Sequence, residues 1–187
     1  EIESFYDCVR FFNLYYTATR ENEYDSQVGR ITLNMENVSS FAISDDETAG
    51  YDTYGLKLSL CKYGFIGDLD LNYRREIGFY VDNCHVIKIK NNYFSWMEDD
   101  GVYVNNSDEL EISSNDFINS TNGIRLGENV VLIIKDNNYE ETDRDIYKAV
   151  RIENGDLYYS EIQKAIDNAT TAQNLYLHEG IYNENVI

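Results

Sequence analysis

Apolar and polar positions alternate in short bursts that recur at fixed spacing along the middle of the chain. One burst follows a glycine: Gly78-Phe79-Tyr80-Val81, Gly101-Val102-Tyr103-Val104 and Gly123-Ile124-Arg125-Leu126, the glycines being 23 and then 22 residues apart. Nine and eleven residues after each glycine comes a second pair, Ile87 and Ile89, Leu110 and Ile112, Leu132 and Ile134. Fourteen residues after each glycine stands an asparagine, with an aromatic ring two places on: Asn92 and Phe94, Asn115 and Phe117, Asn137 and Tyr139. Two period-two stretches separated by turn residues, in a repeat of about 22–26 residues, predict an all-β fold, a β-solenoid whose coils stack because one coil cannot bury its own apolar face. The pattern places Phe79, Val81, Val102, Val104, Ile124 and Leu126 on one interior face and the second pairs on another. Leu56 and Leu58 extend the first face backwards, since Gly55-Leu56-Lys57-Leu58 precedes Gly78 by the same 23 residues.

Outside these repeats the pattern is less regular. Val9-Arg10-Phe11 reads as the closing half of a coil, and Ile31-Thr32-Leu33 with Phe41-Ala42-Ile43 as the next one. The polar run Asp45-Asp46-Glu47-Thr48-Ala49-Gly50 predicts a flanking loop. After Gly55 the second pair is displaced to Leu69 and Leu71, which predicts a longer turn around Gly64 to Gly67. Beyond Tyr139 one more strand is expected at Ala149 to Ile152, then a tight turn at Asn154-Gly155. Ser160-Glu161-Ile162-Gln163 has the form of a capping box, and Ile162, Ala165, Ile166 and Ala169 fall on one helical face, predicting one short helix. Leu175-Tyr176-Leu177 and residues 181–187 return to strand-like alternation. The expected organisation is therefore solenoid coils over 1–152, with a capping helix and the opening strands of a further coil over 153–187.

These repeats resemble the right-handed parallel β-helix proteins of the pectate-lyase-like class, which includes periplasmic copper-maturation proteins and many archaeal surface proteins. Residues 158–187 are similar to that family's opening segment, where a helix caps the first coil, although here the segment follows the coils instead of preceding them. The resemblance implies a right-handed parallel β-helix. Glu1 and Ile2 continue Asn185, Val186 and Ile187 with the right alternation, so the chain reads as one period of an array. That reading predicts head-to-tail assembly of copies through the two ends, with a ring or filament as the outcome.

Composition narrows the functional classes. The chain has 187 residues, 43% of them apolar, which suffices for one continuous core. Its 34 acidic and 15 basic residues give a net charge of −19, which excludes a phosphate-backbone binder as an expectation. No stretch is long and apolar enough to span a membrane. Seventeen tyrosines, many at outward strand positions, predict flat lateral surfaces for carbohydrate or neighbouring copies.

Candidate chemistry is sparse. Cys61 and Cys84 each lie six residues after their glycines and become stacked neighbours, so a disulfide between them, with Cys8 left for an intermolecular bond, stands beside the alternative of three reduced thiols. Asn92, Asn115 and Asn137 form either an amide ladder or simply residues that tolerate left-handed turns. Glu98-Asp99-Asp100-Gly101 has the residue types of a carboxylate pair across a glycosidic bond, but Asp and Gly are turn residues and the run reads as a polar turn into the next strand, so no catalytic residue is assigned. Arg125 falls in an outward column with Lys57, Tyr80 and Tyr103. His85 and His178 lack metal-ligand spacing, no cofactor is called for, and calcium is the one ion the acidity suits. Two classes follow: a structural protein of an extracellular, cell-surface layer, sheath or fibre, or a carbohydrate-active enzyme or binding module acting on acidic polysaccharide. The second rests on the family's fold.

Overall fold

The structure, a computed structural model, describes residues 9–12, 33–36, 40–44, 47–49, 54–72 and 76–187, with side chains over 55–71 and 76–187. Three sheets form the body. The first face stacks Leu33–Glu36, Tyr54–Ser59, Ile77–Asp82, Asp100–Asn105, Asn122–Leu126 and Arg144–Tyr147 as a six-stranded sheet. The second carries Val9–Phe12, Ser40–Ser44, Tyr63–Gly67, Ile87–Lys90, Asp108–Ser113 and Val131–Lys135. The third is five-stranded: Glu47–Ala49, Asp70–Asn72, Tyr93–Ser95, Asp116–Ile118 and Asn138–Glu140. Every pairing among these strands is parallel, and the chain visits the faces in turn, so the body is a parallel β-solenoid.

Register follows the repeat. Phe79, Val102 and Ile124 are partners across successive coils, as are Val81, Val104 and Leu126. Ile89, Ile112 and Ile134 align on the second face, with Leu110 opposite Leu132. All of these, and Ile87, are buried in one cluster that runs from Leu56 to Tyr158. The glycines and the aromatic rings prove to be one contact: a Cβ on Gly78, Gly101 or Gly123 would lie 2.7, 2.3 or 2.5 Å from the ring of Phe94, Phe117 or Tyr139. These rings stack along the axis, Phe94 on Phe117 at 4.8 Å and Phe117 on Tyr139 at 5.3 Å between centroids. Glycine thus recurs because the ring of its own coil occupies the space a side chain would take.

Two sequence expectations are corrected. The second-face strand of the coil after Gly55 is Tyr63–Gly67, with Gly64 opposite Ile87 and Ile66 opposite Ile89. A glycine in the aliphatic slot hid this strand. Leu71 belongs to the third face, opposite Phe94. The expected loop at residues 45–50 contains the strand Glu47–Ala49, paired with Asp70–Asn72; a stacked neighbour supplies the hydrogen bonds, so pairing overrides an unpromising local sequence. Lys88 and Glu111 are register partners, and the Glu111 carboxylate meets Lys135 Nζ, one coil further on, at 2.9 Å.

The coils end in an antiparallel cap. Leu157–Tyr159 runs antiparallel between Val131–Lys135 and Val150–Ile152, and Leu175–Leu177 adds antiparallel to the outside of Val150–Ile152. The Asn154-Gly155 turn is present, with Asn154 left-handed at φ 59° and Gly155 N donating to Ile152 O at 3.2 Å. The helix spans Ile162–Asn168. No capping box forms: Ser160 Oγ accepts from Val130 N, while the Glu184 carboxylate accepts from Ile162 N and Gln163 N at 2.8 and 3.0 Å. The helix face differs too, for Ala165 is buried and Ile166 exposed. The cap has its own apolar cluster of Val150, Ile152, Tyr159 and Ala165.

Candidate functional site on the outer first face

At three corners of the coils, among the described residues, the backbone turns through the left-handed region. Leu60, Asn83, Asn106 and Asn129 form one such column, and Asp68, Asn91, Ser114 and Asp136 another, all with φ between 44 and 59°. Asn92, Asn115 and Asn137 follow this second column and are not left-handed themselves, so turn tolerance does not account for them. Their side chains make a ladder. Asn92 Nδ2 donates to Asn115 Oδ1 and Asn115 Nδ2 to Asn137 Oδ1, both at 2.9 Å. Each Oδ1 also accepts the backbone N–H of the coil before it: Leu69 N reaches Asn92, Asn92 N reaches Asn115, and Asn115 N reaches Asn137. The remaining amide hydrogens go to Ile66 O, Ile89 O and Ile112 O. Each asparagine therefore satisfies corner groups that no strand pairing reaches.

Cys61 and Cys84 are reduced, buried thiols, not the bridge the spacing allows. In an in-register parallel stack the Cβ atoms stand about 4.8 Å apart like the Cα atoms, beyond the roughly 3.5–4.5 Å of a disulfide. Both thiols are also occupied, Cys61 Sγ donating to Ser59 O at 3.5 Å and Cys84 Sγ to Asp82 O at 3.4 Å. Ser107, at the same offset from its glycine, does the same toward Asn105 O and accepts from Cys84 N at 2.9 Å. The slot thus takes a small hydrogen-bonding side chain, a signal that the serine could have given. The hydrogen bond with Cys61 and burial push the Cys84 thiol far up, away from the reactive thiolate. Cys8, Glu1 and Ile2 lie outside the described residues. Asn185, Val186 and Ile187 are not in a strand; Val186 and Ile187 are exposed, and Ile187 N donates to Gln163 Oε1.

The chemistry-bearing cluster is on the first face. Lys57, Tyr80, Tyr103 and Arg125 are register partners in successive coils. Lys57 Nζ lies 5.5 Å from the Tyr80 ring, Tyr80 and Tyr103 are 5.3 Å apart, and the Arg125 guanidinium is 4.5 Å over Tyr103. Asp100, expected as a turn residue, opens a first-face strand and is fully buried. Its carboxylate meets Arg125 Nε at 3.0 Å and accepts from Asn122 Nδ2 at 2.8 Å. Burial outweighs Arg125 and raises its pKa from 3.8 to about 6. The sequence signal was present: Asp100 replaces the isoleucine of the equivalent Ile77. Glu98 and Asp99 stay exposed, and the run makes no convergent carboxylate pair with Asp100.

This arrangement can hold an anionic or sugar-like group against rings and a guanidinium. Among the described residues no three His, Cys, Asp or Glu side chains converge to hold a metal. His85 pairs with Asp108, which raises its pKa, whereas burial lowers that of His178; they sit on a coil corner and in the cap respectively. No helix among the described residues is long and apolar enough to cross a membrane.

No curated protein and no solved structure matches the chain. A family model does, that of the right-handed β-helix region, over residues 26–181. This span takes in nearly every coil and most of the cap. The chain belongs to the right-handed β-helix family.

Proposed function

We propose that this β-helix is a structural protein of an extracellular, cell-surface layer, sheath or fibre, a rod whose coils supply length and stiffness. The supporting observation is the like-on-like continuity of its buried columns: amide on amide, ring on ring and aliphatic on aliphatic from coil to coil. Sliding one coil past the next breaks all these columns together, so the rod resists shear along its length. Copies join head to tail through sheet edges. Among the described residues, Val9–Phe12 and Leu175–Leu177 are the two outermost strands of one nine-stranded sheet, the positions at which a further strand would add. Labelling intact source cells with an antibody to the chain, together with sedimentation of the purified protein over a range of concentrations, tests this. Surface label and concentration-dependent oligomers are expected. An internal label with a monomer at every concentration contradicts it.

A second reading, a carbohydrate-active or carbohydrate-binding module for acidic polysaccharide, is favoured by the Lys57, Tyr80, Tyr103 and Arg125 column beside Asp100. Incubation with acidic polysaccharides, with and without calcium, separates the two. Release of chain ends that is lost in Arg125→Ala supports the second.

A further inference from the structure

We infer that the groove at the corner between the third and first faces docks a basic polypeptide segment, with Trp96 as its aromatic platform. The groove encloses about 320 Å³ and crosses three coils, with Trp96 and Glu98 in one, Asn119 and Thr121 in the next, and Glu141 and Asp143 in the third. Trp96, Asn119 and Glu141 occupy the same corner position in successive coils, with Trp96 N donating to Ile118 O and Asn119 N to Glu140 O. The groove wall is therefore as regular as the coil stack behind it, with a rise of about 4.8 Å per step.

Trp96 is 54% exposed, whereas Phe94, two positions before it, is buried in the stacked ring column. An exposed indole beside a groove offers the best of the aromatic faces to a cation. The charge is complementary: Glu98, Glu141 and Asp143 line the groove, and none of them is ion-paired among the described residues. They do not converge on one point as the ligands of a metal would. Glu98 and Asp143 stand two coils apart, roughly 10 Å along the axis, which suits an extended ligand carrying more than one positive group.

Hydrogen-bonding capacity selects the kind of cation. The Ser120 and Thr121 hydroxyls already donate, to Ile118 O and Glu98 O at 3.4 and 2.7 Å. What remains in the groove is mostly acceptor oxygen, the Asn119 amide and the Trp96 indole N–H being the donors. Lysine and arginine side chains are donors only, and their apolar stems lie along a ring while the charged head reaches a carboxylate. A sugar, whose hydroxyl and ring oxygens also accept, finds few donors here. The net charge of −19 draws a basic segment toward the surface in advance of contact.

The experiment uses the chain's single tryptophan, Trp96, as reporter. The probe is a short peptide of alternating arginine and serine, titrated at physiological ionic strength while Trp96 emission is followed, with a peptide carrying citrulline for arginine as the uncharged control. A saturable change with the arginine peptide alone is expected. Glu98→Gln with Asp143→Asn weakens it by about tenfold or more, whereas Glu109→Gln with Asp136→Asn, which removes the same charge at exposed positions away from the groove, leaves it unchanged. All four are exposed carboxylates, so both double variants fold, as circular dichroism checks. The proposal is overturned by an absence of saturable change, by equal weakening in the two double variants, or by glucosamine oligomers binding more tightly than the peptide.

Discussion

The parallel coils and the antiparallel cap solve the same problem, closing an apolar interior, with opposite means. In the coils the buried columns set like on like: Phe94 meets Phe117, Asn92 meets Asn115, Val81 meets Val104. In the cap nearly every polar contact joins unlike partners. Glu184 holds the first N–H groups of the helix, Glu153 accepts from the backbone and amide of Asn174, Glu179 meets Arg144 of the last coil at 3.0 Å, and Tyr182 donates toward Ala149 O and His178 O. A stack of identical contacts is a one-dimensional array whose coils hold one another in place. A set of unlike contacts has no such propagation. Damage in the coils therefore spreads along the axis, and damage in the cap stays where it is made.

The largest break of this contrast comes from a charge in an aliphatic column. Val104→Asp sets an unpaired carboxylate between Val81 and Leu126, a burial too costly for one domain to absorb. Circular dichroism is expected to find no folded protein; a soluble native-like variant counts against the coil assignment. Next is Asn115→Ala, which leaves Asn92 N and Ile89 O without their partners and opens a gap in the amide column. A loss of about 3–5 kcal/mol in denaturant unfolding is expected, and it lowers the transition for the whole body.

What the sequence disclosed follows from the same distinction. Like-on-like stacking writes itself as a repeat, so Gly78, Gly101 and Gly123 located the coils, and the second pairs Ile87 to Ile134 located the second face. The Asn92, Asn115 and Asn137 column was visible as spacing, but its bonding to the coil before joins a side chain to backbone one coil away, which spacing does not encode. Where a repeat position is filled by an exception, the pattern fails: Gly64 in an aliphatic slot hid a strand, and Asp100 in an isoleucine slot looked like a turn. The cap was legible only as elements. A strand, a turn and a helix could be read from Ala149 to Asn168, yet the insertion of Leu157–Tyr159 beside Val131–Lys135 and the reach of Glu184 to the helix are contacts between unlike segments with no period. The Trp96 groove was missed for a related reason, since one tryptophan in a corner column of Asn119 and Glu141 has no counterpart to repeat.

Asp100 sharpens the comparison because it is an unlike contact inside the coils. With its pKa raised from 3.8 to about 6, the folded protein keeps a proton that the unfolded chain releases across that window. The contribution of Asp100 therefore falls as pH rises from about 4 to 6 and is level above. The whole effect amounts to about 3 kcal/mol at most. In chemical unfolding at a series of pH values, the stability of the wild type minus that of Asp100→Asn should grow as pH falls through this range. A difference that is flat, or that shrinks on acidification, shows that the Arg125 contact prevails over burial.

The smallest effect belongs to the cap. Glu184→Gln weakens the acceptance of Ile162 N and Gln163 N and costs about 1 kcal/mol, in line with helix N-terminal carboxylates elsewhere. Helical signal should drop while the main unfolding transition keeps its midpoint. A fall in that midpoint as large as the one from Asn115→Ala would mean that cap and coils are a single unit.

Native-state hydrogen exchange tests that separation most directly. The amides of Leu69, Asn92 and Asn115, each bonded to the asparagine of the next coil, are expected to share one opening free energy equal to that of global unfolding. Those of Ile162 and Gln163 are expected to exchange sooner, through a local opening that Glu184→Gln makes easier still. A common free energy for all five amides, or ladder amides that open one coil at a time, would contradict the account.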